Sequence, residues 1–376
     1  MDALILSCGT GGGHDSAGKA VQKELERRGH HAVMLNPYRL HSDRLADRID
    51  NVYLFLAKQA PWLFGVVYQA GQLYRKLPVR SPVYYANQKM VSTMEKYLAE
   101  HPADVVIMTH VFPAEIMTSM KRQGMHIPKT IFVATDYACI PFTEETECDA
   151  YVTPSERLTE QFMAYGLATE KLHPLGIPTN SSFSRCESRE DTRRQLGLDA
   201  NKQYILVSAG SMGGGKIKKA VKILTACVAG RENIELIVIC GSNQKLYQQL
   251  KASAAPNMKV IGYTNDMASY MKAADLFVTK PGGLSSTEAA VCGVPILHTA
   301  AIPGCETLNA RFFHECGMSV SCKTSKCGSA AMELMDKADA CAAMVGRQRR
   351  LISPNAAANI GDLAEALSKA PVDCAL

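Results

Sequence analysis

Two stretches of this chain, about two hundred residues apart, open in the same way. Ala3 to Cys8 is a short apolar run, followed by Gly9-Thr10-Gly11-Gly12-Gly13-His14 and then an apolar spacing through Val21 and Leu25. Tyr204 to Gly210 is a second such run, followed by Ser211-Met212-Gly213-Gly214-Gly215 and a spacing through Ile217, Val221 and Leu224. Strand, glycine loop, helix is the start of a Rossmann-like unit. Two such starts in 376 residues, a length beyond one ordinary core, predict two α/β domains.

The rest of the pattern agrees. Strands are expected at His31–Leu35, Asp104–Thr109, Thr130–Ala134 and Ala150–Pro154, with an edge near Leu172–Pro178. In the second half they are expected at Ile234–Cys240, Lys259–Ile261, Leu276–Thr279 and Met318–Ser321. Strand alternating with helix at this pace means parallel sheets covered on both faces, and two such domains facing each other leave a cleft. The expected boundaries are an N-terminal domain over 1–178, a polar linker over 179–200 and a second domain over 201–345. A helical segment over 346–376 is expected to pack back toward the first domain.

A net charge of +5 is too mild for a nucleic-acid binder. Thirteen cysteines without a CxxC pair or zinc spacing read as reduced, buried thiols of a cytosolic protein. Met1 to Ser7 carries no basic leader and no apolar run reaches transmembrane length, so a cytoplasmic protein is expected.

The first glycine loop fails two familiar tests. A dinucleotide fingerprint needs a small residue where His14 stands and an acidic residue where Asn36-Pro37 ends the second strand. A phosphate-binding loop from Gly13 to Lys19 would need a hydroxyl where Ala20 stands. What remains is His14, a titratable ring at the mouth of a glycine loop, placed to take a proton from a hydroxyl nucleophile. The plainer alternative is a first-turn histidine bonded only to its own loop. His110 and Asp136 also lie just past strand ends, where ligands gather in open parallel sheets. Singly, each also fits a residue that caps a turn.

From Asn51 to Met94 there is no Asp or Glu, yet the stretch holds Lys58, Arg75, Lys76, Arg80 and Lys89 among aromatic residues that include Phe64 and the chain's single tryptophan, Trp62. Such a segment suits an anionic membrane surface; the alternative is a pair of core helices with basic outer faces.

Lys280-Pro281-Gly282-Gly283-Leu284 runs into a helix bearing Glu288. A glycine pair between strand and helix lets backbone N–H groups meet an anion. The competing reading is a capping box formed by Ser285 and Glu288. Beyond Cys292-Gly293-Val294-Pro295 comes Pro303-Gly304-Cys305-Glu306-Thr307-Leu308-Asn309, a polar loop opening a further helix.

At these last two motifs, and at Gly11–His14, His110-x-Phe112-Pro113, Thr135-Asp136 and Gly176-Ile177-Pro178, the chain resembles the GT-B glycosyltransferases that make glycosyldiacylglycerols: the monogalactosyldiacylglycerol synthases and processive diacylglycerol glucosyltransferases. The resemblance implies a GT-B fold, two Rossmann-like domains with parallel sheets facing a central cleft. It further implies an inverting transfer of a hexose from a UDP-sugar to a lipid hydroxyl such as that of diacylglycerol, without metal or other cofactor. Ser211, Met212, Gly213 and Gly214 would close over the phosphates, with Pro281, Gly282, Gly283 and Leu284 supplying N–H groups. Glu288 would hold the ribose, Gly262, Tyr263 and Met267 the base, and Pro303, Gly304, Cys305, Glu306 and Asn309 the sugar. His14 would be the base, with Asp136 beside the acceptor. Gly12, Gly13 and His110, with Trp62, Phe64, Arg75, Lys76 and Arg80, would face the acceptor and membrane, placing the enzyme peripherally on the inner face of the cell membrane. No DxD triplet occurs, and Cys305 stands where many relatives have Gln. The residue types leave open a UDP-sugar epimerase, an undecaprenyl-linked N-acetylglucosaminyltransferase and a non-catalytic nucleotide-sugar module.

Overall fold

The computed structural model describes residues 1–370 except 10, 11, 59, 76, 78, 209 and 211–216. In chain order the elements are β1 (Asp2–Leu6), α1 (Gly12–Arg27), β2 (His31–Leu35), α2 (Pro37–His41), α3 (Asp43–Lys58), α4 (Pro61–Tyr74), α5 (Pro82–Gln88), α6 (Val91–Glu100), β3 (Val105–Met108), α7 (Val111–Arg122), β4 (Lys129–Val133), β5 (Ala150–Val152), α8 (Thr159–Met163) and β6 (Leu172–His173). They continue as α9 (Ser181–Ser184), α10 (Arg189–Gln195), β7 (Gln203–Ser208), α11 (Ile217–Val228), β8 (Ile234–Ile239), α12 (Gln244–Ala252), β9 (Met258–Ile261), α13 (Met267–Ala273), β10 (Leu276–Thr279), α14 (Gly283–Cys292), β11 (Ile296–His298), α15 (Cys305–Glu315), β12 (Val320–Ser321), α16 (Cys327–Met335), α17 (Ala338–Leu351) and α18 (Ala356–Ser368).

These elements form two compact units, Met1–Asn180 joined by the chain from Pro354 onward, and Ser181–Ser353. Each described unit has one six-stranded parallel sheet, ordered β2-β1-β3-β4-β5-β6 in the first and β12-β11-β10-β7-β8-β9 in the second. The expected strands are found with ends within a residue or two of those expected, apart from the edge near Leu172–Pro178, which pairs only over Leu172–His173. Central strands are apolar on both faces because helices cover both. Val105–Met108 and Leu276–Thr279 are buried at every position.

The segment 179–200 is not a linker. Its polar surface hides α9 and α10, and Arg193 is buried against the second unit, donating to the Ala273 carbonyl at 3.0 Å and to Asp275 at 2.7 Å. The boundary expected at 345 also moves to Ser353, because α17 stays with the second sheet. Its fully buried Gln348 donates to the Val294 carbonyl at 3.2 Å and the Met318 carbonyl at 2.9 Å. Only α18 belongs to the first unit, where Arg28, just past the end of α1, reaches Asp362, Glu365 and the Ala358 carbonyl.

Helix α16 crosses α11 at Gly328, where an added Cβ would lie 2.3 Å from the Cys227 sulfur and 2.9 Å from Ile223. At Gly346, inside α17, an added Cβ meets nothing within 4 Å. Gly328→Ala is therefore expected to destabilise the second unit by about 1–3 kcal/mol despite the better helix propensity of alanine. Gly346→Ala is expected to stabilise it by roughly 0.5–1 kcal/mol. Urea unfolding midpoints of the two variants check the opposite signs.

Candidate functional site

In the first sheet the strand order reverses direction between β1 and β3, so the loops leaving these two strands diverge and open a crevice at their carboxyl ends. The first loop leads into α1, whose third residue is His14; the second carries Thr109 and His110. His14 Nδ1 lies 2.8 Å from the Thr109 carbonyl oxygen and 2.9 Å from Thr135 Oγ1. A carbonyl only accepts, so Nδ1 carries the proton and Nε2 keeps its lone pair.

His110 is arranged the other way. It caps α7, its Nδ1 accepting from the Phe112 N–H at 3.2 Å, so in the neutral ring the proton sits on Nε2. Its ring stands edge-on to His14, with centroids 4.6 Å apart. Burial, and after it the neighbouring His14, hold its pKa well below the ordinary histidine value. Of two imidazoles this close, His110 is thus the one kept neutral.

His110, Thr135, Asp136 and Thr143 line a pocket beside His14 of about 10 Å³, room for roughly one water. The sequence-predicted trio of His14, His110 and Asp136 therefore does come together. Thr135, the direct partner of His14, was missed. Its only signal was its place next to Asp136, just past the end of β4.

The remaining first-unit candidates divide. Gly12 and Gly13 are the first two residues of α1. Trp62 is 69 % exposed on α4. Arg80 is exposed, its guanidinium 5.0 Å from the Tyr84 ring. Lys76 and the Phe64 side chain lie outside the described residues. Arg75 does not offer a free charge: its guanidinium lies 3.8 Å above the Tyr165 ring and its Nε donates to Gln72 at 3.0 Å. An arginine at a helix end reads as a basic surface in sequence, but here it stacks on Tyr165, two residues past the end of α8. Among the described residues, the large apolar side chains left exposed fall between Val52 and Tyr85, apart from Met163 and Tyr263. No described helix is long and apolar enough to cross a membrane.

In the second sheet the reversal falls between β7 and β10. Gly210, after β7, lies so close to the β10–α14 turn that a Cβ on it would be 3.7 Å from Lys280 Cε and 3.9 Å from Ser285 Oγ. Ser211, Met212, Gly213 and Gly214 lie outside the described residues. Helix α14 starts at Gly283 with Gly282 as its cap and no side-chain bond from that cap to the helix's first N–H groups. Ser285 is thus already inside the helix, and the capping box does not form. The N–H groups of Gly283, Leu284 and Ser285 have no partner within the helix, at the positive end of its dipole. Gly282 does not join them, because its N–H donates to the Lys280 carbonyl at 2.8 Å and tightens the turn.

Lys280 pairs with Glu306, whose other oxygen accepts from the Ile302 N–H at 2.9 Å. Asn309 is fully buried and donates to the Pro281 carbonyl at 3.0 Å. Both side chains, expected from the resemblance to face the sugar, thus also hold the loops around the turn. Between them Gly304 takes φ 111° and ψ −130°, a conformation open essentially to glycine, and so sets the start of α15 at the half-buried Cys305. Pro303 is exposed and Pro281 buried. His298, at the end of β11, is buried and bonded to Ser286 of α14 at 3.0 Å; burial drops its pKa to about 3, so it packs as a neutral ring.

Glu288 is half-buried on α14, and no hydrogen-bond partner is found for it among the described residues. Burial pushes its carboxyl up to about 8. At the end of β9, Gly262 leads to Tyr263, 62 % exposed, and Met267 opens α13 half-buried.

Comparison with known proteins agrees with this division. Residues 14–179 match the family described as monogalactosyldiacylglycerol (MGDG) synthase, and residues 204–319 the glycosyltransferase family 28 C-terminal domain. The chain is thus similar to these glycosyltransferases, one family in each unit. Among family relatives, the processive diacylglycerol beta-glucosyltransferase of Bacillus subtilis is 26 % identical over 324 residues, covering 84 % of this chain and 82 % of that one. MurG of Acinetobacter baumannii shares the fold with a TM-score of 0.62 at 18 % identity, over 97 % of this chain and 99 % of that one. The UDP-GlcNAc 2-epimerase of Neisseria meningitidis, solved with UDP-GlcNAc, shares it with a TM-score of 0.60 at 11 % identity, over 97 % and 100 %. The two six-stranded parallel sheets are those of the GT-B glycosyltransferases. In family terms the first unit carries the synthase-type domain with His14, and the second the family 28 domain with the α14 turn.

Proposed function

We propose that the chain is an inverting, metal-independent glycosyltransferase that moves a hexose from a UDP-sugar to diacylglycerol at an anionic membrane surface. The observation that carries this reading is the fixed tautomer of His14, which turns a lone pair on Nε2 toward whatever hydroxyl approaches. In the step proposed, the acceptor hydroxyl oxygen attacks the anomeric carbon, its proton passes to Nε2, and the bond to the diphosphate oxygen breaks on the opposite face, inverting the centre. Within the second unit, the N–H groups that open α14, with Lys280 beside them, suit the donor's diphosphate. No metal is assigned a role.

The relative from Bacillus supports diacylglycerol as the acceptor by its name. The exposed apolar side chains between Val52 and Tyr85, in a stretch without a single acid from Asn51 to Met94, support peripheral contact with anionic lipid. An epimerase shares the fold, yet it acts on soluble substrates and has no use for such a surface.

The test is incubation with radiolabelled UDP-glucose or UDP-galactose and mixed lipid vesicles, followed by partition into organic solvent. Label is expected in the lipid phase for one donor, and His14→Ala is expected to abolish it. Label found only in an epimerised nucleotide sugar would defeat the proposal.

Glu288 supplies an independent check. Its free carboxyl, raised to about 8, is largely protonated at neutral pH. Ribose hydroxyls donating to it would favour the ionised form, so UDP binding releases a proton. Affinity for UDP is therefore expected to rise with pH, by up to about tenfold per unit, and to level off above about 8. Titration calorimetry in buffers of different ionisation enthalpy measures the proton release, and Glu288→Gln is expected to remove both effects.

A further inference from the structure

We propose that Thr135 is a positioning residue for the reaction: its hydroxyl oxygen joins the Thr109 carbonyl in holding the Nδ1–H of His14. The proposal rests on the reading of His14 as the base. Thr135 is 7 % exposed and lies two residues past the end of β4, whereas Thr109 directly follows β3, the paired neighbour of that strand. The two oxygens, 2.9 Å and 2.8 Å from Nδ1, thus come from the ends of adjacent strands in the rigid centre of the sheet. Because the Thr109 carbonyl must accept, the Nδ1–H points at it, and Thr135 Oγ1 presents a lone pair to the same proton. A hydroxyl hydrogen aimed at Nδ1 would set two donors against each other.

This arrangement performs with neutral oxygens what a buried carboxylate performs in a serine-type triad. Among the described residues His14 makes no contact with a carboxylate; its partners are Thr109, Thr135 and the His110 ring. When Nε2 takes the acceptor's proton, the positive charge spreads to Nδ1–H, and both hydrogen bonds become charge-assisted.

The titratable groups around His14 are few. On α1, Asp15 accepts from Ser7 Oγ at 2.6 Å. From α3, Asp50 comes up against Gly9, its pKa raised chiefly by burial. On the loop after β4, Asp136 lines the same pocket; at the start of α7, His110 is neutral; and on the loop after β1 the Cys8 thiol is buried with its pKa raised. A change confined to Thr135 leaves all of them in place.

The experiment compares Thr135→Val, nearly isosteric but without the hydroxyl, with Thr135→Ser, which keeps it, using the full chain on UDP-sugar and diacylglycerol vesicles. Thr135→Val is expected to lower kcat by roughly tenfold to a hundredfold with little change in the donor KM. Losing an acceptor at Nδ1–H destabilises the imidazolium, so the acid limb of kcat/KM is expected to move to lower pH by about one unit. Thr135→Ser is expected to restore both rate and limb. A Val variant whose rate falls evenly at all pH with an unmoved limb, or one as active as the parent, overturns the proposal; so does a Ser variant as impaired as the Val. Circular dichroism confirms folding, and Thr135→Ala serves in place of the Val variant if that one does not fold. His14→Ala, run alongside, separates the two claims. Retained turnover there removes the base itself, while lost turnover with an unmoved Thr135→Val limb removes only the positioning role.

Discussion

The hydrogen bond from His14 Nδ1 to the Thr109 carbonyl is the contact on which the proposed chemistry of the first unit depends. It exists because a parallel sheet whose order reverses between β1 and β3 brings a helix start and a strand end to one spot. Neither residue is near the other in sequence. The pairing of β1 with β3, in register from Ala3–Val105 to Leu6–Met108, sets the spacing that a 2.8 Å bond requires. Given that bond, the tautomer of His14 follows, and the opposite tautomer of His110 follows from its cap on Phe112.

The second unit repeats the topology and uses it differently. There the reversal lies between β7 and β10, and the side chains near it mostly hold backbone in place. Asn309 fastens Pro281, Glu306 fastens Ile302 and meets Lys280, and glycine at 304 allows a turn no other residue takes easily. What this scaffold presents is the uncapped start of α14, an array of N–H groups suited to an anion, with a half-buried carboxyl at Glu288 further along the same helix.

The strands and the doubled Rossmann-like plan were legible in the sequence because each is written locally, in runs of apolar residues and in glycines between strand and helix. Residues just past strand ends could be singled out for the same reason, and His14, His110 and Asp136 do share a pocket. What sequence could not supply were the partners. Thr135 looks like any loop threonine until β3 and β4 are paired. Arg75 looks free until Tyr165 is brought beneath it. Asn309 and Glu306 give no sign in sequence of the backbone groups they hold. The polar stretch 179–200 looks like a linker because only Arg193 and a few neighbours face inward. Each of these facts is tertiary, decided by which distant backbone arrives alongside.

The most direct test of this account is the protonation of one ring. In the full chain labelled with ¹⁵N-histidine, with His14 assigned by its loss in His14→Ala, the nitrogen shifts at high pH report which position holds the proton. The account predicts Nδ1 as the protonated nitrogen and Nε2 as the bare one. A His14 ring found with its proton on Nε2 would contradict it, because no lone pair would then face an incoming hydroxyl.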